Sequence, residues 1–321
     1  MWLRLPAYLI CLCAQRCDMG ESLKGLDTRL LVDLRRDRSK PDRSLGQHFL
    51  IDEESIRRSI DLATEHGIPL STDTHVLEIG PGAGSLTLAL LRTGSMVSAL
   101  EIDPESVSHL ARIFENRETK LEVKLQDALN GGWPNAVSHV VSNLPYQISS
   151  PILEKIRQYH ENSSLKLCVL LVQEEFGYRM AMKSLPYDVG PLGLNLWLDF
   201  DVFLDNRVPP NCFSPSPRVN SRFVVLKPIT RMCAKGVNKQ LFRVLTKHCF
   251  SNRRRKMKTL LSNPPTRISR VTGWHKKRWN ASVSNLLHSE VGGLKEGWGD
   301  LRPENLTPEN WVSITQKLVS A

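Results

Sequence analysis

Apolar positions in the first two thirds of the chain fall into short runs, several ending at a glycine or a carboxylate. His75–Ile79, Met96–Leu100, Leu121–Leu125 and Ser138–Ser142 read as buried parallel strands. Ser85–Leu91 reads as a helix, with Gly84 or Ser85 near its cap. Arg222–Lys227 reads as the last strand of the same sheet. Beyond Pro228 the apolar spacing turns helical, through Leu241–Leu245 to Leu260 and Leu261, and breaks at Asn263-Pro264-Pro265. Thr307-Pro308-Glu309-Asn310 marks a late helix start, with Thr307 as N-cap, Pro308 at the first helical position and Asn310 where a capping box prefers Glu. The pattern predicts an α/β protein: a doubly wound sheet domain of about 200 residues and a smaller, mainly helical appendage.

The strand ends carry the polar groups. Gly80, Gly82 and Gly84 follow the first strand at alternate positions, where a backbone without Cβ can turn tightly against a ligand. This is not the Gly-x-Gly-x-x-Gly of dinucleotide sites, and Glu78 stands two residues ahead of it. The second strand runs into Glu101 and Asp103, and a carboxylate there is placed to accept both hydroxyls of a ribose. The third ends in Gln126-Asp127, where an acceptor can take an adenine amino group. Together they predict a nucleoside-bearing cofactor along one sheet edge.

The fourth strand runs into Asn143-Leu144-Pro145-Tyr146. An exocyclic adenine amine is a poor nucleophile because its lone pair is delocalised into the ring. Two acceptors aimed at its hydrogens, the Asn143 side-chain oxygen and the Leu144 carbonyl, would localise that pair. Pro145 stiffens the turn and biases Leu144 to an extended conformation. Tyr146 offers a flat face for a base taken out of its stack. Methyl transfer from a sulfonium is an in-line displacement that needs proximity and orientation more than a strong base. The bland reading is a proline turn whose tyrosine belongs to the core.

With these residues in view, the chain resembles the small-subunit ribosomal RNA adenine dimethyltransferases, the kasugamycin-resistance family, from about Ser44 to its C-terminus. Leu45-Gly46-Gln47-His48-Phe49-Leu50 looks like the opening cofactor motif, with His48 where many members have asparagine; Glu78–Thr87 is close to the family glycine loop. Glu101, Gln126–Leu129 and Asn143–Tyr146 follow in family order, and Gln173–Met180 resembles the helix start after the fifth strand. Cys212–Ser221 resembles the late Phe-x-Pro-x-Pro motif, whose phenylalanine, here Phe213, packs near the target base; Asn220 replaces a commoner aspartate. The resemblance implies a Rossmann-like methyltransferase sheet over 44–228 and S-adenosylmethionine as donor, with no metal. It implies cofactor contacts at His48, Leu50, Gly80, Gly82, Glu101, Asp127 and Asn143, and two adjacent adenosines near the 3′ end of small-subunit rRNA as targets, each dimethylated during ribosome biogenesis. A macrolide-resistance type methyltransferase of large-subunit rRNA shares most motifs. A non-catalytic ribosome-assembly or transcription factor on the same fold would not need so complete a donor site.

Charge agrees with an RNA partner. The net is +10 over 321 residues, but Met1–Thr230 carries 25 Lys+Arg against 28 Asp+Glu, and Arg231–Ala321 carries 18 against 5. The excess lies in the last quarter, the expected RNA-contacting domain over 229–321, and is densest at Arg253, Arg254, Arg255, Lys256 and Lys258. Trp274-His275-Lys276-Lys277-Arg278-Trp279 adds aromatics among cations. A solvated helix face with packing tryptophans is the bland alternative. The seven cysteines include no Cys-x-x-Cys pair, so neither a disulfide framework nor a zinc site is supported, and a reducing compartment is the natural reading. Residues 1–43 read as a mobile extension whose five basic residues from Arg35 to Arg43 can touch phosphate. Met1–Cys17 superficially resembles a signal or organellar presequence; it is too short to span a bilayer, and Met19 is the preferred start. The expectation is a cytoplasmic monomer acting on the pre-ribosomal small subunit.

Overall fold

The computed structural model describes residues 23–38, 45–115, 117, 119–183 and 189–320. They fall into two compact units. One comprises the described residues up to Gly177 with Phe203–Lys227; the other comprises Tyr178–Val202 and everything described from Pro228 onward.

The first unit is built on β2 (His75–Ile79), β3 (Met96–Glu101), β4 (Leu121–Leu125), β5 (His139–Asn143), β6 (Leu167–Gln173) and, apart from the first three residues of the one and the last of the other, β7 (Phe200–Val208) and β9 (Ser221–Pro228). Their order in the sheet is β4-β3-β2-β5-β6-β9-β7. Strands β2 to β6 pair in parallel, and β9 joins β6 antiparallel. Register brings Val76, Val97, Val141, Val169 and Val225 to one face, because side chains alternate with a period of two. They are buried with Leu62 of α2 (Glu53–Glu65), Leu88 of α3 (Ser85–Arg92) and Leu110 of α4 (Pro104–Phe114). The sheet reverses its winding between β2 and β5, the switch point where doubly wound sheets open a crevice. A two-stranded ladder pairs β1 (Phe49–Leu50) with β8 (Phe213–Ser214).

The expected mobile extension needs correction over its described part. Thr28–Arg38 forms a helix, α1, with Thr28, Leu31, Val32 and Arg35 buried along one stripe. Leu23 and Leu26 are also buried in the core of this unit, so burial of apolar surface holds the segment in place. Residues 1–22, including the presequence-like run and Met19, lie outside the described residues, as do Lys40 and Arg43.

After α6 (Glu174–Met180), the helices α7 (Pro191–Trp197), α8 (Lys239–Ser251), α9 (Met257–Leu261), α10 (Lys276–Leu287) and α11 (Pro308–Ser320) enclose a separate core in the second unit. Leu194 and Leu198 are buried with Leu241 and Phe242, which draws Tyr178–Val202 into this unit ahead of the expected boundary at Pro228. Thr307 and Asn310 cap α11 reciprocally: the Asn310 N–H donates to Thr307 Oγ1 at 3.3 Å, and the Thr307 N–H to Asn310 Oδ1 at 3.0 Å. Trp274 and Trp279 are core residues, the Trp279 indole N–H donating to the Leu261 carbonyl at 2.9 Å, so they are not a base-stacking surface. Among the described residues no helix is long and apolar enough to cross a membrane.

Candidate active site

A cleft of about 280 Å³ opens at the carboxyl ends of β2, β3, β4 and β5. Its walls are the segments that end those strands, together with the stretch from Leu45 to Leu50. His48, Leu50, Gly80, Gly82, Glu101, Asp127 and Asn143–Tyr146 all line it.

The glycine loop holds its shape through its neighbours. The Gly80 N–H donates to the Leu100 carbonyl at 2.9 Å, tying the end of β2 to β3. Gly82 has φ +56°, and a Cβ there would stand 2.8 Å from the Phe49 ring, so only glycine fits. The Ser142 hydroxyl donates to the Ile79 carbonyl at 2.6 Å, bridging β5 and β2 where their ladder has ended.

Glu101 is buried, and its carboxylate accepts three backbone N–H groups: Gly82 on Oε2 at 3.0 Å, and Ile102 and Asp103 on Oε1, each at 2.9 Å. Burial raises its carboxyl above the ordinary range, against the opposing hydrogen bonds from Asp103 and Gly82. Glu78, fully buried, accepts from the Thr87 hydroxyl at 2.7 Å, and burial pushes its carboxyl up to about 8. Asp127 organises the turn after β4, accepting from the Leu129 N–H at 2.8 Å and the Asn130 amide at 2.6 Å. Lys155 of α5 (Ser149–Glu161) donates to the Leu129 carbonyl at 2.8 Å, and the Trp133 indole to Ala128 at 2.9 Å. Sequence reading missed both braces, because a lone lysine on a helix signals nothing about the loop it reaches.

Asn143 donates its amide N–H to the His48 carbonyl at 3.0 Å. Its neighbour Leu144 is anchored by a backbone bond to the Leu171 carbonyl at 3.1 Å and is buried. The Tyr146 hydroxyl bonds Ser221 Oγ at 2.7 Å, and its ring stacks with His48 at 5.9 Å between centroids, 29° between planes. His48 Nδ1 lies 2.7 Å from the Pro215 carbonyl, which only an Nδ1–H can serve, so the ring's other nitrogen is the acceptor when the ring is neutral. Ser221, under the tyrosine, lies in the late motif, but nothing in its spacing discloses the pairing.

Phe213 behaves differently. It pairs with Leu50 across the β1–β8 ladder and is buried in the core; it is not among the described residues that line the cleft. Its ladder partner Leu50 does line the cleft, so Phe213 lies one strand removed from it.

The basic run of the second unit occupies the turn between α8 and α9, with Lys258 in the first turn of α9. Arg254, Arg255, Lys256 and Lys258 are exposed and Arg253 is half-buried. Lys256 and Lys258 both pair with Asp300, at 2.8 and 2.9 Å, and these two ammonium groups hold its carboxyl down at about 2.

Comparison with known proteins accords with this geometry. The model of the family described as ribosomal RNA adenine dimethylase matches residues 38–276. A probable ribosomal RNA small subunit methyltransferase A of Methanothermobacter thermautotrophicus is 33% identical over 298 residues, covering 92% of this chain and 97% of the relative. One from Haloarcula marismortui is 36% identical, covering 88% and 91%. Among solved structures, a dimethyladenosine transferase from Plasmodium falciparum has the same fold, with TM-score 0.65, 23% identity and coverage of 84% and 96%. The chain belongs to the ribosomal RNA adenine dimethylase family.

Proposed function

We propose that this protein is an S-adenosylmethionine-dependent rRNA adenine N6,N6-dimethyltransferase that acts on two adjacent adenosines near the 3′ end of small-subunit rRNA. One observation carries the reading: Asn143–Tyr146 line the same cleft as Gly80, Gly82, Glu101 and Asp127. The cleft suits the donor. A loop that only glycine fits closes one wall, and two carboxylates line the same space.

S-adenosylmethionine supplies an electrophilic methyl group on a sulfonium. In this reading Glu101 accepts the ribose hydroxyls through lone pairs left by its three backbone donors, and Asp127 accepts the adenine amine. His48 and Leu50 complete the cofactor side. Asn143 works on the target: with its N–H committed to the His48 carbonyl, Oδ1 is left to accept a hydrogen of the target amine beside the Leu144 carbonyl. These acceptors draw the amine toward a tetrahedral shape and hold its proton until water removes it. Tyr146 carries the target base, its ring fixed at the far end by Ser221. Phe213 acts at one remove, by supporting Leu50 across the ladder. The first unit forms the methyltransferase domain, and the second grips rRNA phosphate through Arg253, Arg254 and Arg255, joined by Lys256 and Lys258. The enzyme works as a cytoplasmic monomer on the pre-ribosomal small subunit.

The test is transfer of labelled methyl from S-adenosylmethionine to purified subunits that lack the modification. Small subunits should accept label and large subunits should not; label in the large subunit alone would replace this reading with the macrolide-resistance type.

A further inference from the structure

Helix α1 ends its buried stripe with a charge. Thr28, Leu31, Val32 and Arg35 follow the i, i+3, i+4, i+7 spacing of a core-facing helix, and Arg35 is only 2% exposed. Its guanidinium donates to Asp103 Oδ2 at 2.7 Å and to Ser106 Oγ at 3.2 Å. The same Asp103 oxygen accepts from Ser106 at 2.7 Å and from the Gln47 amide at 2.8 Å.

Asp103 ties α4 to two walls of the cleft. Its side chain caps α4, accepting from the Glu105 N–H at 3.1 Å. Its backbone N–H donates to Glu101 Oε1, and through Gln47 it holds the residue next to His48. The carboxyl of Asp103 is opposed by burial but is kept below its ordinary value by the hydrogen bonds from Ser106, Gln47 and Arg35. Without Arg35, the buried carboxylate two residues from Glu101 would keep its hydrogen bonds from Ser106, Gln47 and the Glu105 N–H but lose its cationic partner, and removing one member of a buried pair is disruptive.

We propose that α1 is part of the donor site, with Arg35 a positioning residue that fixes Glu101 and the Gln47–His48 segment through Asp103. The family match begins at residue 38, the last residue of α1. The proposal rests on reading the cleft as a donor site.

The test uses the full chain with Arg35→Met, Arg35→Gln, Asp103→Asn and the double variant Arg35→Met/Asp103→Asn. The readouts are S-adenosylmethionine affinity by calorimetry and steady-state methylation of small subunits. Arg35→Met and Arg35→Gln should each raise the donor Kd and KM about tenfold or more, with kcat at saturating donor within about threefold of wild type. The double variant should recover part of the lost affinity, because an asparagine whose oxygen caps α4 leaves no buried charge, while its NH2 in the place of Oδ2 keeps a bond to Gln47 only if that amide turns its oxygen toward it. If Arg35→Met does not fold, Arg35→Gln carries the same expectation. A folded Arg35 variant with wild-type donor affinity, or one that loses kcat while KM stands, overturns the proposal. A wild-type protein that binds no donor overturns instead the reading on which it rests.

Discussion

The Asn143 side-chain amide spans 3.0 Å to the His48 carbonyl, and this bond fixes which way the amide faces. A carbonyl can be served only by the NH2 end, so the oxygen end is left as an acceptor. The link also ties the end of β5 to the Leu45–Leu50 wall of the cleft, so the roles proposed for Asn143 toward target and donor fall to one side chain.

Asn143→Ala should therefore lower single-turnover methylation of small subunits by at least about two orders of magnitude, while subunit binding stays near wild type. Asn143→Asp should be as inactive, because a carboxylate would face the His48 carbonyl without a hydrogen to share. Near-normal turnover in either variant contradicts the amine-polarising role.

Tyr146 separates ring from hydroxyl. Tyr146→Ala should cost about 1–3 kcal/mol of base stacking, roughly fivefold to 150-fold in kcat/KM. Tyr146→Phe and Ser221→Ala break only the 2.7 Å bond and should fall by less than about tenfold. If Tyr146→Phe is as damaged as Tyr146→Ala, the hydroxyl and not the face matters.

Glu78 makes stability depend on pH. Its carboxyl is raised by burial to about 8 in the folded chain, so its favourable contribution is full below the ordinary carboxylate pKa and is lost as pH rises through about 8. Glu78→Gln cannot ionise, and Thr87 can still donate to its amide oxygen. Thermal unfolding without donor should show the variant gaining on wild type between pH 5 and pH 8.5. A difference that does not change across that range would mean Glu78 is not protonated when buried.

The strand ends were legible in sequence because glycine, carboxylate and Asn-Leu-Pro-Tyr each need a specific backbone setting, and β2, β3 and β4 fall within a residue of where the apolar runs place them. Helix α1 was not legible, since a stripe that ends in Arg35 does not register as amphipathic. Strand β7 was hidden for a related reason. Asp205 interrupts its apolar pattern, and only the fold shows that Arg58 pairs with it at 2.8 Å. Phe213 was placed in the site by motif alone, and its pairing with Leu50, which does line the cleft, was not legible in the sequence.

The basic turn offers a salt test. Neutralising Arg253, Arg254 and Arg255 together should weaken subunit binding and reduce the salt slope by nearly one unit per lost phosphate contact, with donor affinity unchanged. Asp300→Asn should act oppositely, because it releases Lys256 and Lys258 from an internal carboxylate. An unchanged slope in the triple variant would move rRNA contact away from this turn.

The most direct test is nucleoside mass spectrometry of unmodified small subunits after incubation with the protein and labelled S-adenosylmethionine. Wild-type protein should yield N6,N6-dimethyladenosine at two adjacent positions near the 3′ end, and Asn143→Ala should yield none. Absence of methylated adenosine from small-subunit rRNA with active, donor-binding wild-type protein would contradict the account.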